Sequence, residues 1–191
     1  MATIYYLTNL GDLAVLLPLS AVVLVWLLLW PRWDAARWWF LSVVFCGAAT
    51  AILKVFYNAC PEILSSNPSG HTGLSVLVYG AISLLVSARN KNWQRIVLVL
   101  AGVSLALGIA ISRVLIGAHS IAEIVIGIAI GAISLAIFVF GFRRSVAAKF
   151  PSWFLVVPSV LVVLLLNGYH LQAEDIFQFL GIYLHKTGIC G

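Results

Sequence analysis

Six stretches of this chain come close to the length of apolar helix that crosses a bilayer, and no other property constrains its fold as tightly. An α-helix rises about 1.5 Å per residue, so roughly 20 apolar residues traverse the hydrocarbon core. The stretches run about 10 to 30, 38 to 57, 70 to 88, 95 to 113, 120 to 142 and 153 to 169. Only 9% of the 191 residues are charged and 63% are hydrophobic, a balance that suits lipid contact better than a water-exposed globule. The connectors are all short, which leaves no room for a separate soluble domain. The expectation is an all-α, polytopic membrane helical bundle of about six transmembrane helices, with residues 1–191 forming a single integral-membrane domain. The first apolar run ends in Trp30, Pro31, Arg32 and Trp33 and follows no basic n-region, so it reads as a retained helix rather than a cleaved signal. Residues 172–191 mix Ile176, Phe177, Phe179 and Leu180 with polar groups, as either an interfacial helix or a disordered tail would.

Orientation follows from the basic residues, because basic loops stay in the cytoplasm. Arg32 and Arg37 fall in the first connector, Arg89, Lys91 and Arg95 in the third, and Arg143, Arg144 and Lys149 in the fifth. Odd connectors are therefore expected inside, with the even connectors and both termini outside. Trp30, Trp33, Trp38, Trp39, Trp93 and Trp153 sit at span ends, where indole rings favour the headgroup zone. The net charge of +5 is dispersed in these short clusters, with no aromatic-interleaved basic stripe, and nucleic acid is not an expected partner. Cys46, Cys60 and Cys190 show no metal-ligand spacing. A Cys60–Cys190 pair is one arrangement open to them.

Three cations remain outside this scheme, Lys54, Arg113 and Lys186, and the first two adjoin apolar spans. An ionisable group near the bilayer core is costly unless it faces a polar cavity or a partner, or snorkels to the interface. Snorkelling predicts no gathering of other polar groups, yet His71, His119 and Glu123 are expected at the same outer end. Lys54 ends the second span, His71 opens the third, Arg113 ends the fourth, and His119 with Glu123 opens the fifth. Cations and imidazoles around one cavity would suit a multiply charged anion such as phosphate.

Asn67-Pro68-Ser69-Gly70-His71-Thr72 reads as a helix start, with Ser69 as cap and Gly70 allowing close approach to a ligand. His119 and Glu123, four residues apart, would share a helix face, so that Glu123 accepts Nδ1–H and leaves Nε2 as nucleophile. A polar pair stitching two helices is the alternative reading of that spacing. Six residues separate Arg113 from His119, and a bend near Gly117 is needed for both to meet one phosphate. Gly127 and Gly131 form a small-residue packing face.

These residues resemble signature motifs of the type-2 phosphatidic acid phosphatase superfamily, which includes lipid phosphatases and undecaprenyl pyrophosphate phosphatases. Pro68-Ser69-Gly70-His71 matches the second motif intact. The third stands as Ser112-Arg113-Val114-Leu115-Ile116-Gly117-Ala118-His119-Ser120-Ile121-Ala122-Glu123, with Glu in place of the final Asp. In the first, Lys54 matches but no Arg precedes Pro61, and Asn58 or a backbone donor is the candidate substitute. The similarity covers a core of about residues 54–131. The short segment from Lys54 to Ser69 leaves little chain to form a lid.

The resemblance implies a membrane lipid phosphatase in which His119 attacks phosphorus, Glu123 orients its ring and His71 acts as general acid and base. Lys54, Ser69, Gly70 and Arg113 would bind the phosphate. It implies no metal and no cofactor, and a lipid phosphate and the bilayer as partners. The protein is expected in a bacterial inner membrane, where the distribution of basic residues puts the active site on the extracytoplasmic side. A phosphotransferase using the same phosphohistidine and a catalytically weak lipid-phosphate binder are the alternatives. His170 and His185 receive no role.

Overall fold

A computed structural model of the chain describes residues 2–29, 33–63, 66–88, 90–143, 152–171 and 174–187. Arg32, Arg89, Arg144, Lys149, Trp30 and Cys190, invoked above, lie outside the described residues. Those residues form eight helices and no strand: α1 (Ala2–Asn9), α2 (Leu13–Leu29), α3 (Trp33–Ala59), α4 (Gly70–Ser87), α5 (Asn92–Leu115), α6 (Ile121–Arg143), α7 (Trp153–Leu166) and α8 (Glu174–Lys186). The protein is an all-α membrane bundle.

Each expected apolar run coincides with a helix, but among the described residues length and composition alone do not establish all six as spans. Four helices, α3 to α6, are long and apolar enough to cross a membrane alone, and α1 with α2 makes a fifth if that pair, bent by 46°, is one broken span. The 14 residues of α7 reach only about 21 Å at 1.5 Å each, short of the hydrocarbon thickness.

Packing follows bilayer logic. Large apolar side chains such as Ile52, Phe56, Leu100, Leu107 and Phe140 face outward, while Ser20, Ser42, Ser112 and Ser134 are buried between helices. A hydroxyl in that interior must find an acceptor, and these four donate to carbonyls of their own helices, at Leu16, Trp38, Ile109 and Ile130 respectively. At the centre, α4 packs against both α5 and α6. Its contact with α6 is close because Gly127 and Gly131 carry no side chain there, as their spacing predicts. An ideal Cβ on Gly127 would lie 2.6 Å from the carbonyl oxygen of Ser69, so a side chain must push back the start of α4. Gly127→Ala is therefore expected to destabilise the bundle by about 1–3 kcal/mol, seen as a lowered unfolding temperature in detergent. An unchanged transition would show that α4 and α6 part easily at this point.

The tail differs from its freest expectation. Helix α8 folds back on α3. Gly181 meets Asn58 and Val55 too closely to admit a Cβ, and His185 Nδ1 lies 2.8 Å from the carbonyl oxygen of Ala59. Cys60 is disulfide-bonded, whereas Cys46 is free and buried.

Candidate active site

The end of α3, the start of α4, the end of α5 and the start of α6 meet at one end of the bundle. Ser69 caps α4 in an extended conformation, its hydroxyl oxygen accepting from the Thr72 N–H at 3.4 Å and the Thr72 hydroxyl at 3.0 Å. The preceding loop is fastened to α6, because the N–H of Asn67 donates to Glu123 Oε1 at 3.0 Å and the N–H of Ser69 to the Glu123 carbonyl at 3.1 Å.

The expected bend is present. Helix α5 stops at Leu115, and Gly117 takes φ of +72°, a left-handed conformation that glycine adopts without a Cβ penalty. The N–H groups of Ala118 and His119 then return to the Arg113 carbonyl at 3.0 and 3.2 Å. His119 consequently stands outside the helix, contrary to the expectation that it and Glu123 share a helical face. Ser120 and Glu123 form a reciprocal capping box at the start of α6. Ser120 N–H donates to Glu123 Oε2 at 2.9 Å, and Glu123 N–H donates to Ser120 Oγ at 3.3 Å. The same Oε2 lies 3.0 Å from His119 Nδ1. A carboxylate fixed by the N–H groups of Asn67 and Ser120 thus orients the ring. With Nδ1–H donating to it, the neutral imidazole carries its lone pair on Nε2. Burial pushes the His119 pKa down, and the charges of Arg113 and Lys54 push the same way against the opposing pull of Glu123.

On the other side, Lys54 is 3% exposed and its Nζ lies 2.6 Å from both carboxylate oxygens of Glu174. Asn67 Nδ2 donates to Glu174 Oε1 at 3.3 Å. Burial would raise the Glu174 carboxyl, but its hydrogen bond to Lys54 and that residue's charge hold it below the usual range. His71 Nε2 is 3.5 Å from Asp12 Oδ2, which also meets His170 Nδ1 at 3.0 Å. Asp12 Oδ1 accepts from the N–H groups of Ala14 and Leu171, so this one carboxylate caps α2 and ties down the chain after α7. Arg113 reaches Thr8 Oγ1 at 3.4 Å through one terminal nitrogen, while its buried Nε has no hydrogen-bond partner.

A cavity of about 120 Å³ opens here. Lys54, Gly70, His71 and Glu174 line its polar part, and Leu74, Leu171 and Phe177 its apolar part. Ser69, Arg113, His119 and Glu123 do not line it. The seven expected residues are gathered at one end of the bundle, and three of them, Lys54, Gly70 and His71, line this cavity. Asn67 joins the two groups, bonded through its side chain to Glu174 and through its backbone to Glu123. Asn58, the candidate replacement for the missing Arg, instead donates to the Lys54 carbonyl at 2.8 Å and serves the end of α3. The short Lys54–Ser69 segment is compensated from elsewhere, since α8 brings Glu174 over Lys54.

Glu174, Asp12, Asn67 and His170 were not anticipated. A signal existed for the acids. The chain has only six Asp and Glu residues, so Asp12 within the first apolar run needed a partner as much as Lys54 did.

Residues 53–147 match the family model of the PAP2 superfamily. The chain is also 32% identical over 133 residues to an "Uncharacterized 22.5 kDa protein in cps region" from Klebsiella pneumoniae. That alignment covers 67% of this chain and 64% of the relative, so the chain spans less than two thirds of the relative's length. No solved structure is significantly similar.

Proposed function

This chain belongs to the PAP2 superfamily, and on that premise we propose that it is a membrane phosphatase hydrolysing a lipid phosphomonoester or pyrophosphate through a phosphohistidine. The observation that supports the reading best is the 3.0 Å contact between His119 Nδ1 and a Glu123 carboxylate held by two further N–H groups. It directs Nε2 away as a nucleophile. Nε2 attacks phosphorus in line, the bond to the leaving oxygen breaks, and His71 supplies that oxygen with a proton. His71 then takes a proton from water, which attacks the phosphohistidine, frees phosphate and restores His119. Lys54, Arg113 and the Gly70 N–H stabilise the spreading charge on the nonbridging oxygens, with Ser69 shaping the start of α4. These groups perform the reaction without a metal or cofactor.

The substrate is a prenyl pyrophosphate, phosphatidylglycerol phosphate, phosphatidic acid or lipid A phosphate. The cavity supports a lipid in that it runs from Lys54 to the exposed Gly47, seven residues and about 10 Å toward the middle of α3. Among the described cations, Arg37, Lys91, Arg95 and Arg143 sit at the opposite helix ends from Lys54 and His71. By the positive-inside rule the site then faces the extracytoplasmic side of a bacterial inner membrane, with both termini outside.

The direct test is acid and alkaline quenching of protein mixed with radiolabelled lipid phosphate. A phosphoramidate survives alkali and is lost in acid, so label that survives acid would exclude a histidine adduct. Release of phosphate without an acceptor distinguishes hydrolysis from transfer to a hydroxyl. The two acids beside the cation and imidazole of the cavity, Glu174 and Asp12, favour a catalytically weak lipid-phosphate binder as the second reading, which predicts little or no release. The pH profile offers a further check. The nucleophile is neutral His119, and its pKa lies below the ordinary 6.5. Activity should therefore persist as pH falls through 6.5 and decline only in more acid solution. An acid limb above 6.5 would contradict the assignment.

A further inference from the structure

We propose that Glu174 is a specificity-determining residue of the phosphate site, its carboxylate seated on Lys54 to exclude the phosphodiester headgroups of bulk lipid while yielding to a phosphomonoester or pyrophosphate. The inference rests on the phosphatase reading in one respect, that Lys54 is a phosphate ligand.

The charge of Lys54 is fully engaged. Its ammonium is 3% exposed and meets both oxygens of Glu174 at 2.6 Å, and Asn67 Nδ2 adds a third donor to the same carboxylate. Glu174 also lies within electrostatic reach of His119. An acidic group thus occupies the polar end of a cavity whose neighbouring cations suit an anion. Its helix is held there by other means, through Gly181 against Asn58, His185 against the Ala59 carbonyl, and the packing of α8 on α3. Glu174 is therefore a tethered ligand at high effective concentration. Its side chain is 45% exposed, so it can leave Lys54 for water without burying a charge.

A site at the end of membrane helices faces the headgroup zone, where phosphodiester lipids are packed at far higher concentration than any phosphomonoester substrate. A phosphodiester carries one negative charge. Exchanging Glu174 for it brings Lys54 no additional attraction, and the tether decides for Glu174. A phosphomonoester or pyrophosphate brings about two charges or more, which roughly doubles the Coulomb attraction to the same ammonium. The chain also lacks the Arg of the first motif, so no second cation from α3 recruits anions indiscriminately.

The experiment uses full-length protein in mixed micelles, hydrolysing phosphatidic acid against increasing phosphatidylglycerol, a monoanionic phosphodiester. Wild type should be nearly indifferent to phosphatidylglycerol. Glu174→Gln keeps the side-chain volume, and it should be inhibited at about tenfold lower mole fraction. Its inorganic phosphate affinity should rise by a clearly smaller factor, with the effect on KM and inhibition rather than on kcat. Equal indifference in both proteins would overturn the proposal. In wild type alone, saturating inorganic phosphate should accelerate amide hydrogen exchange in the first turn of α8 as Glu174 is displaced. Unchanged exchange with phosphate bound would overturn it without any variant. Calorimetric binding of inorganic phosphate needs no turnover, so it judges Glu174 even if no lipid is hydrolysed and the phosphatase reading fails.

Discussion

His119→Ala should lower phosphate release by about 10⁴-fold or more, because the group proposed to form the covalent intermediate is removed. The loss should fall on kcat and on phosphoenzyme formation together. The fold should persist. The Glu123 carboxylate keeps the N–H groups of Asn67 and Ser120, and the turn at Gly117 depends on backbone bonds to Arg113. Only the contact at Nδ1 disappears, worth about 1–3 kcal/mol at most. Unfolding in detergent separates this outcome from collapse of the bundle. Phosphate release at the wild-type rate, from protein with a normal transition, would remove His119 from the mechanism.

Glu123→Gln is expected to cost about 10³- to 10⁴-fold in kcat, for a different reason. Glutamine is acceptable at this position of a capping box, so the start of α6 remains supported. A carboxylate accepts at both oxygens, however, and in this protein it serves three N–H donors. An amide offers one oxygen and turns an NH₂ toward at least one of those donors. If that face meets His119, Nδ1 must become the acceptor, and the proton moves to Nε2, where the lone pair is needed. The remaining mismatch should lower stability by about 1–3 kcal/mol. Measuring kcat at a temperature well below both unfolding transitions isolates the catalytic part. A variant retaining more than a tenth of wild-type kcat would reduce Glu123 to a helix cap.

These two residues also show how far local sequence carries. Ser120 and Glu123 have capping-box spacing, and Gly117 lies where a continuous helix would turn His119 away from Arg113. The turn was legible for that reason. The exact relation of His119 to the helix was not, because a four-residue interval fits a helical pair and also fits a residue placed just before its cap. Lys54 was recognisable as a charge that needed a partner, but the partner itself was not. Glu174 lies 120 residues away, and His170 meets Asp12 across 158. Hydropathy and spacing describe neighbours along the chain, and contacts of that range depend on how helices dock.

The apolar runs, the turn chemistry and the motif residues determined a helical membrane protein with its polar groups collected at one end, since lipid demands internally satisfied backbones and penalises isolated charge. Only the tertiary structure decided that α7 is short, that Asn67 bridges Glu123 and Glu174, and that a tail helix sets a carboxylate on Lys54. The reason is that several partners could neutralise a buried ammonium equally well in principle. The packing of α8 on α3, governed by fits such as Gly181 against Asn58, selected one of them.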